Sequence, residues 1–388
     1  VSVTSAKGFR AAGLAAGIKA SGNPDVALVV NDGPIDVAAA VFTSNRFPAA
    51  PVLWSRQAIS DGSARAVILN SGGANACTGP QGFTDAHEMA ERTAESLRAS
   101  GLEIGAGDVI VCSTGLIGEL LPMDRVRVGI DAAVAGLTET GGPDAARAIM
   151  TTDSVPKTAQ VTTGGYTVAG MAKGAGMLAP ALATMLVVVT TDAVVDVDLA
   201  DTAVRVASSL TFDRIDSDGC MSTNDTVLLM ASGASGVTPD PASFTDAVTE
   251  VCADLARQLI ADAEGASKDI EITVRAAASE VDALQAARAI SRSNLLKCAI
   301  HGEDPNWGRI LSALGTTTAA FESDRVDVAI NGVWVCRRGG VGDSRDLVDM
   351  SGRKVRIDVD LGAGTSEATI LTNDLTADYV HENSAYAT

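Results

Sequence analysis

Aromatic residues are scarce in this chain of 388 residues, where Trp, Tyr and Phe together make up 3%. A core with so few rings is built from Ala, Val, Leu and Ile, and the 46% apolar content fits a globular protein. Positive charge is also short. Lys and Arg number 29 against 48 Asp and Glu, a formal net charge of -19, so no general attraction to nucleic acid or to an anionic membrane is expected. A local basic pocket for small carboxylates stays open. The three histidines, His87, His301 and His381, lie far apart and have no second ligand at metal-site spacing, so no metal is expected. His87 reads as a surface residue among Glu88 and Glu91. Six cysteines show no CxxC pairing and are expected to be buried free thiols in a reducing compartment. The opening Val-Ser-Val-Thr-Ser-Ala-Lys-Gly has no apolar core of the kind a signal peptide needs. The longest apolar window, about 168–189, is interrupted by Lys173 and Pro180 and does not read as a membrane span. A phosphate-binding GxxxxGK[ST] loop, a GxSxG elbow and an HExxH helix are all missing.

What is present is a mixture of short strands and helices in a chain long enough for two packed domains. Strands are expected at 26–30, 39–42, 66–69 and 109–112, each ending in turn chemistry, and a helix over 85–100 with Gly101 as its stop. A second helix presents Val248, Val251, Cys252, Leu255 and Leu259 on one face, and a strand alternates Ile270, Ile272 and Val274. Asn331-Gly332 between Val326–Ile330 and Val333–Val335 is the sequence of a type I′ hairpin, and a further strand follows through Val355, Ile357, Val359 and Leu361. Strands joined by both hairpins and helices predict layered α/β packing with mixed sheets rather than a regular doubly wound sheet.

One stretch stands out for chemistry. Lys173-Gly-Ala-Gly-Met-Leu-Ala-Pro-Ala-Leu-Ala-Thr184 runs into the apolar strand Met185–Val189, which places a hydroxyl where a loop becomes a buried strand. Cutting the Ala183-Thr184 bond would give Thr184 a free α-amine beside its own hydroxyl, a nucleophile with a built-in base. Pattern alone also fits an ordinary strand threonine. Ser113-Thr114-Gly115 follows a buried strand and has the hydroxyls and amides of an oxyanion hole, or of a simple strand-ending turn. Glu264 stands at the end of the 248–259 helix, where the helix dipole disfavours a carboxylate; a local rule broken in this way marks either a functional site or a solvated end. Asn70–Asn75 and His301–Arg309 are turn-rich and dense in hydrogen-bonding groups, which suits ligand loops or tight turns, with Trp307 as a core anchor.

These segments, in this order, resemble the ornithine acetyltransferase family of arginine biosynthesis, also called glutamate N-acetyltransferase. The resemblance is carried by 70–76, Cys112-Ser-Thr-Gly-Leu-Ile-Gly118, Ile149-Met-Thr-Thr-Asp153, Lys173–Met177, Ala183-Thr-Met-Leu186 and Ser222-Thr-Asn-Asp-Thr226. It continues through Ala263-Glu-Gly-Ala-Ser-Lys268, Asp304-Pro-Asn-Trp-Gly-Arg309 and Glu382-Asn-Ser-Ala-Tyr386.

The resemblance implies an αββα sandwich over 1–270 and a smaller C-terminal α/β domain over 271–388. It also implies self-cleavage between Ala183 and Thr184 into chains 1–183 and 184–388, paired again as a heterotetramer of two α and two β chains. Thr184 would carry acetyl from N-acetylornithine to glutamate by a ping-pong route, with Thr114 and Gly115 as the oxyanion hole. Substrate contacts would come from Thr151, Lys173, Thr184, Glu264, Asn383 and Thr388. No cofactor or metal, no nucleic acid or membrane partner, and a cytoplasmic location are expected. Some members also take acetyl from acetyl-CoA; this chain has no recognisable coenzyme A motif, and that second activity stays open. The alternative enzyme is a self-processing amidohydrolase or aminopeptidase in which water is the acceptor, and the non-enzymatic one is an uncleaved scaffold. The chain departs from the family at Ala181-Leu182, where Asn-Met is common, and at Thr388, where serine is common.

Overall fold

The computed structural model of the chain describes residues 1–178 and 185–385. Ala183, Thr184 and Thr388, together with Ala181 and Leu182, lie outside the described residues. Two compact units are formed, one from Val1–Asp213 with Met221–Asp262, the other from Arg214–Cys220 with the residues from Ala263 onward.

In the first unit the elements in chain order are β1 (Phe9–Leu14), β2 (Val26–Asn31), β3 (Val37–Phe42), α1 (Ala50–Ala58), β4 (Ala66–Asn70), α2 (Gly79–Ala99), β5 (Val109–Ser113), α3 (Met123–Ala135) and α4 (Gly142–Ala148). They continue as β6 (Lys157–Thr163), β7 (Tyr166–Lys173), β8 (Leu186–Thr191), α5 (Val197–Leu210), β9 (Thr226–Ala231) and α6 (Pro241–Ala261). One sheet has the order β1-β2-β4-β5, the other β3-β9-β8-β7-β6. Parallel pairs occur at β4/β5 and β8/β9, and the remaining neighbours are antiparallel.

The near-continuous apolar runs of the inner strands follow from burial on both faces. In β2, Ala27 and Val29 join Leu69, Ile110, Met171, Val188 and Leu228 in a core between the two sheets. Leu28 and Val30 face the other way, with Met89, Ala94 and Leu97 of α2 and Val126 and Ile130 of α3. Helices α5 and α6 pack on each other and on strands of the second sheet. The result is the expected αββα sandwich. Helix α2 starts ahead of the expected 85 because Pro80 suits a first helical turn, and it stops at Ser100, before Gly101 at φ +98°. His87 on α2 is half exposed and stacks on Trp54 at 4.6 Å.

The second unit contains β10 (Asp269–Ala277), α7 (Glu280–Ser291), α8 (Asn294–His301), α9 (Trp307–Leu314), β11 (Asp327–Ile330), β12 (Val333–Arg337), β13 (Gly340–Val341), β14 (Lys354–Asp360), β15 (Ser366–Asn373) and α10 (Ala377–Ala385). Its sheet runs β13-β12-β11-β14-β10-β15, mixed, with β10/β14 parallel. Asn331 and Gly332 both take positive φ, +46° and +85°, as a type I′ turn requires. Ile270, Ile272 and Val274 of β10 pack with Ala283, Ala287 and Ile290 of α7, and Trp307 lies against the same core. The segment 214–220 belongs here through a bridge of Ile215 to Leu371 and the Asp216 N–H bond to Leu371 O at 2.9 Å.

The cysteines need a correction. Cys112, Cys252 and Cys336 are buried, but Cys77, Cys220 and Cys298 are exposed; the first two of these lie on connecting loops and the third on an outward face of α8. No described helix is long and apolar enough to cross a membrane.

Candidate active site

Lys173 closes β7 and pairs with Leu186 of β8. Strand alternation puts its side chain on the same face as Met171, toward the inter-sheet core, and only 2% of it is exposed. There it meets the end of β5 in the opposite sheet. The Lys173 ammonium donates to Thr151 Oγ1 at 2.7 Å and to Thr114 Oγ1 at 3.3 Å. Asp153 Oδ2 stands 3.9 Å from it. The structure thus brings together Thr114, Thr151 and Lys173 from three separate segments.

Asp153 was not among the residues expected at the site. It accepts from Lys157 Nζ at 2.6 Å, from Gly174 N–H at 2.7 Å and from Thr151 N–H at 3.0 Å. Burial works against its charge, but Lys173, Lys157 and the Gly174 amide outweigh that and hold its carboxyl at about 2. Lys157, fully buried on β6, also pairs with Asp262 at 2.6 Å. The only sequence signal for this network was Asp153 in the Thr-Thr-Asp segment. Lys157 sits in a strand whose apolar alternation is only Ala159 and Val161 between Thr158, Gln160 and Thr162, too short a pattern to mark a buried lysine.

The Thr114-Gly115 turn is held from beneath. Thr114 N–H donates to Asn70 O at 3.0 Å, and Thr114 O accepts from Gly73 N–H at 3.0 Å. With its amide engaged and its hydroxyl oxygen facing the ammonium, what Thr114 has to offer is its hydroxyl hydrogen. Gly115 takes φ +129°, and a Cβ there would stand 2.7 Å from Gly73 N, so glycine is required. Among the described residues its N–H has no acceptor. A hydroxyl, an amide and a buried ammonium in one place can meet negative charge developing on a carbonyl oxygen.

The 70–76 loop supplies this support. Asn70 Nδ2 donates to Gly73 O at 3.0 Å, its Oδ1 accepts from the Ser113 hydroxyl, and Asn75 Nδ2 donates to Gly82 O at 2.8 Å. The 301–309 stretch likewise behaves as a turn, with Asn306 Nδ2 on Asp304 Oδ2 at 2.9 Å.

Met185, the first described residue after the gap, is held by Asp225. Its N–H donates to Asp225 Oδ1 at 3.0 Å, and its carbonyl accepts from Thr226 N–H at 3.1 Å. Asp225 is fully buried, and burial pushes its carboxyl well above the usual range even though the Met185 amide favours the charged form.

In the second unit, Glu264 is not at the helix end. Helix α6 stops at Ala261 with Asp262 as its cap, and Glu264 lies beyond, in a turn with Gly265 at φ +60°. Asn383 of α10 donates to Glu264 Oε2 at 2.9 Å, so these two expected residues are brought together. Glu264 lines a cavity of about 260 Å³ with Asp218, Arg292, Lys297, Asp374 and Tyr379. Burial pushes Lys297 down to about 8 there, and its ammonium donates to Ser217 O and to Thr372 Oγ1 at 2.6 and 2.9 Å.

Comparison with known proteins agrees over the whole chain. The "Arginine biosynthesis bifunctional protein ArgJ" of Streptomyces avermitilis is 66% identical over all of both chains, and that of Mycobacterium leprae is 58% identical over 99% of this chain and 95% of its own. Among solved structures, ornithine acetyltransferase from Mycobacterium tuberculosis complexed with ornithine is 56% identical over 48% of this chain and 96% of that one, with a TM-score of 0.46. The family model described as the ArgJ family matches residues 10–388. On this agreement the chain belongs to the ArgJ family.

Proposed function

We propose that the chain is an acyltransferase of arginine biosynthesis that moves acetyl from N-acetylornithine to glutamate through acetyl-Thr184, after cutting itself between Ala183 and Thr184. The observation that carries this reading is the buried Lys173 ammonium between the hydroxyls of Thr114 and Thr151, beside the Gly115 amide. The full-length likeness to proteins named for arginine biosynthesis supplies the substrate class.

The Thr184 α-amine takes the proton from Oγ and becomes an ammonium as Oγ attacks the acetyl carbonyl, and the oxygen that gains charge is met by the Thr114 hydroxyl and the Gly115 N–H. The C–N bond to ornithine breaks, and the departing amine takes its proton from the Thr184 α-ammonium. Glutamate's amine then attacks the acetyl ester, giving its proton to the same α-amine, and N-acetylglutamate leaves with Thr184 Oγ restored. Lys173 suits a substrate carboxylate or the developing oxyanion. Glu264, oriented by Asn383, suits a substrate ammonium, and Thr388 completes the substrate contacts carried over from the family.

Acetyl-CoA would be a second donor for the same acetyl-threonine, a reading in keeping with relatives that are named bifunctional. The cut chains 1–183 and 184–388 stay together as a heterotetramer of two of each, and the enzyme works in the cytoplasm.

Intact-mass analysis after incubation with N-acetylornithine tests the proposal. A fragment beginning at Thr184 that gains one acetyl group is expected, and Thr184→Ala abolishes both cut and adduct. An intact chain with no adduct, or release of acetate without N-acetylglutamate, overturns it. Repeating the assay with acetyl-CoA tests the second donor.

A further inference from the structure

Two consecutive residues at the entrance to β9 reach in two directions. Asn224, 4% exposed, donates from Nδ2 to Ser113 O at 2.8 Å and to Ala74 O at 2.6 Å. Its Oδ1 accepts from the Thr223 hydroxyl at 2.6 Å, which fixes the orientation of the amide. Ser113 immediately precedes Thr114, and Ala74 belongs to the loop that supports it. Asp225, fully buried, holds the Met185 N–H, and Met185 immediately follows Thr184. Thr226 N–H then takes the Met185 carbonyl.

We infer that Asn224 and Asp225 form a positioning bracket that ties the backbone of Met185, the residue after the acetyl-carrying threonine, to that of Ser113, the residue before the oxyanion donors. The inference rests on the reading of Thr184 given above. The bracket explains a costly feature. Asp225 Oδ2 has no partner of good hydrogen-bond geometry among the described residues, with only the hydroxyls of Ser222 and Thr43 near its carboxyl, and a buried polar atom so weakly held is normally selected against. Burial favours the neutral carboxyl, which keeps Oδ1 as an acceptor aimed at one backbone amide, as the oxygen of a side-chain amide would be. Asn224 donates to backbone carbonyls, and Asp225 accepts from a backbone amide. They act on catalysis through that backbone, where a displacement of about 1 Å costs about 100-fold in rate.

The full chain is assayed for the half-time of the Ala183-Thr184 cut and for single-turnover acetylation by N-acetylornithine. Asp225→Asn keeps the acceptor and is expected to process and acetylate within a few-fold of wild type. Asp225→Ala and Asp225→Leu remove it and are expected to slow both steps by about 100-fold. In these variants kcat falls while KM for N-acetylornithine changes little. The leucine variant fills the site and also removes the weakly held oxygen, so it stays folded if alanine collapses the pocket. Wild-type rates in Asp225→Leu overturn the bracket, as does Asp225→Asn behaving as slowly as Asp225→Leu. A wild-type chain that neither cuts nor acetylates overturns the parent reading instead; a working wild type matched by Asp225→Ala overturns the bracket alone.

Discussion

Lys157 and Lys173 stand on neighbouring antiparallel strands, both buried, both reaching Asp153, and they are used in opposite ways. Lys157 is closed by two carboxylates, Asp153 and Asp262, each at 2.6 Å. Its charge is spent inside the fold. Lys173 contacts two hydroxyls and lies 3.9 Å from Asp153, so its field reaches Thr114 and Thr151. The difference teaches how two buried cations on one carboxylate divide their work: Lys157 gives its hydrogen bonds to carboxylates, whereas Lys173 gives them to hydroxyls and holds Asp153 by its field from 3.9 Å.

The largest effect that would separate the two is on stability. Lys157→Met strips the buried Asp153 and the partly buried Asp262 of a shared cation and should destabilise the fold by about 3–5 kcal/mol, read in thermal or denaturant melts. An unchanged melt would end the comparison from that side. Lys173→Met should instead cost about 100- to 1000-fold in kcat/KM, about 2.7–4 kcal/mol of transition-state stabilisation, with a smaller change in melting. Equal effects on melting would make both lysines structural.

The pair also predicts an acid limb. Asp153 is held at about 2 against an ordinary 3.8, so its contribution of about 2 kcal/mol is fully present above about pH 4 and is lost as pH falls toward 2. Because Lys173 is the largest charge lowering it, Lys173→Met should move that limb of the stability curve to higher pH. A limb that does not move would place the holding force elsewhere.

The smallest effect lies in the other unit. Asn383→Ala removes one bond to a carboxylate at an exposed position and should raise KM by a factor that corresponds to about 1 kcal/mol, with kcat and melting unchanged. A loss of kcat would give this pair a part in the chemistry rather than in substrate choice.

Much of this frame was legible in the residues. The runs 26–30, 66–69, 109–112 and 185–189 are apolar on both faces and became fully buried strands, and Asn331-Gly332 became the hairpin its φ preference demands. β6 was missed because its alternation is carried by Ala159 and Val161 alone, with Lys157 as the third inward residue. Asn224 and Asp225 were visible only as part of a resembling segment, since what they hold lies over a hundred residues away for Ser113 and 40 away for Met185. The exposure of Cys77, Cys220 and Cys298 escaped for the same reason: local composition does not say which side of a loop or helix meets solvent.

The strand order β3-β9-β8-β7-β6 bears on what a cut at 183/184 does to the molecule. Strands β8 and β9 come from the later fragment, yet β3 lies on one side of them and β7 on the other, both from the earlier fragment. The two pieces are laced together like alternate threads of one cloth. Pulling them apart would bare two raw sheet edges on each and split a shared apolar layer. A scission there would free an end without freeing a partner, because the sheet, and not that peptide bond, joins the halves.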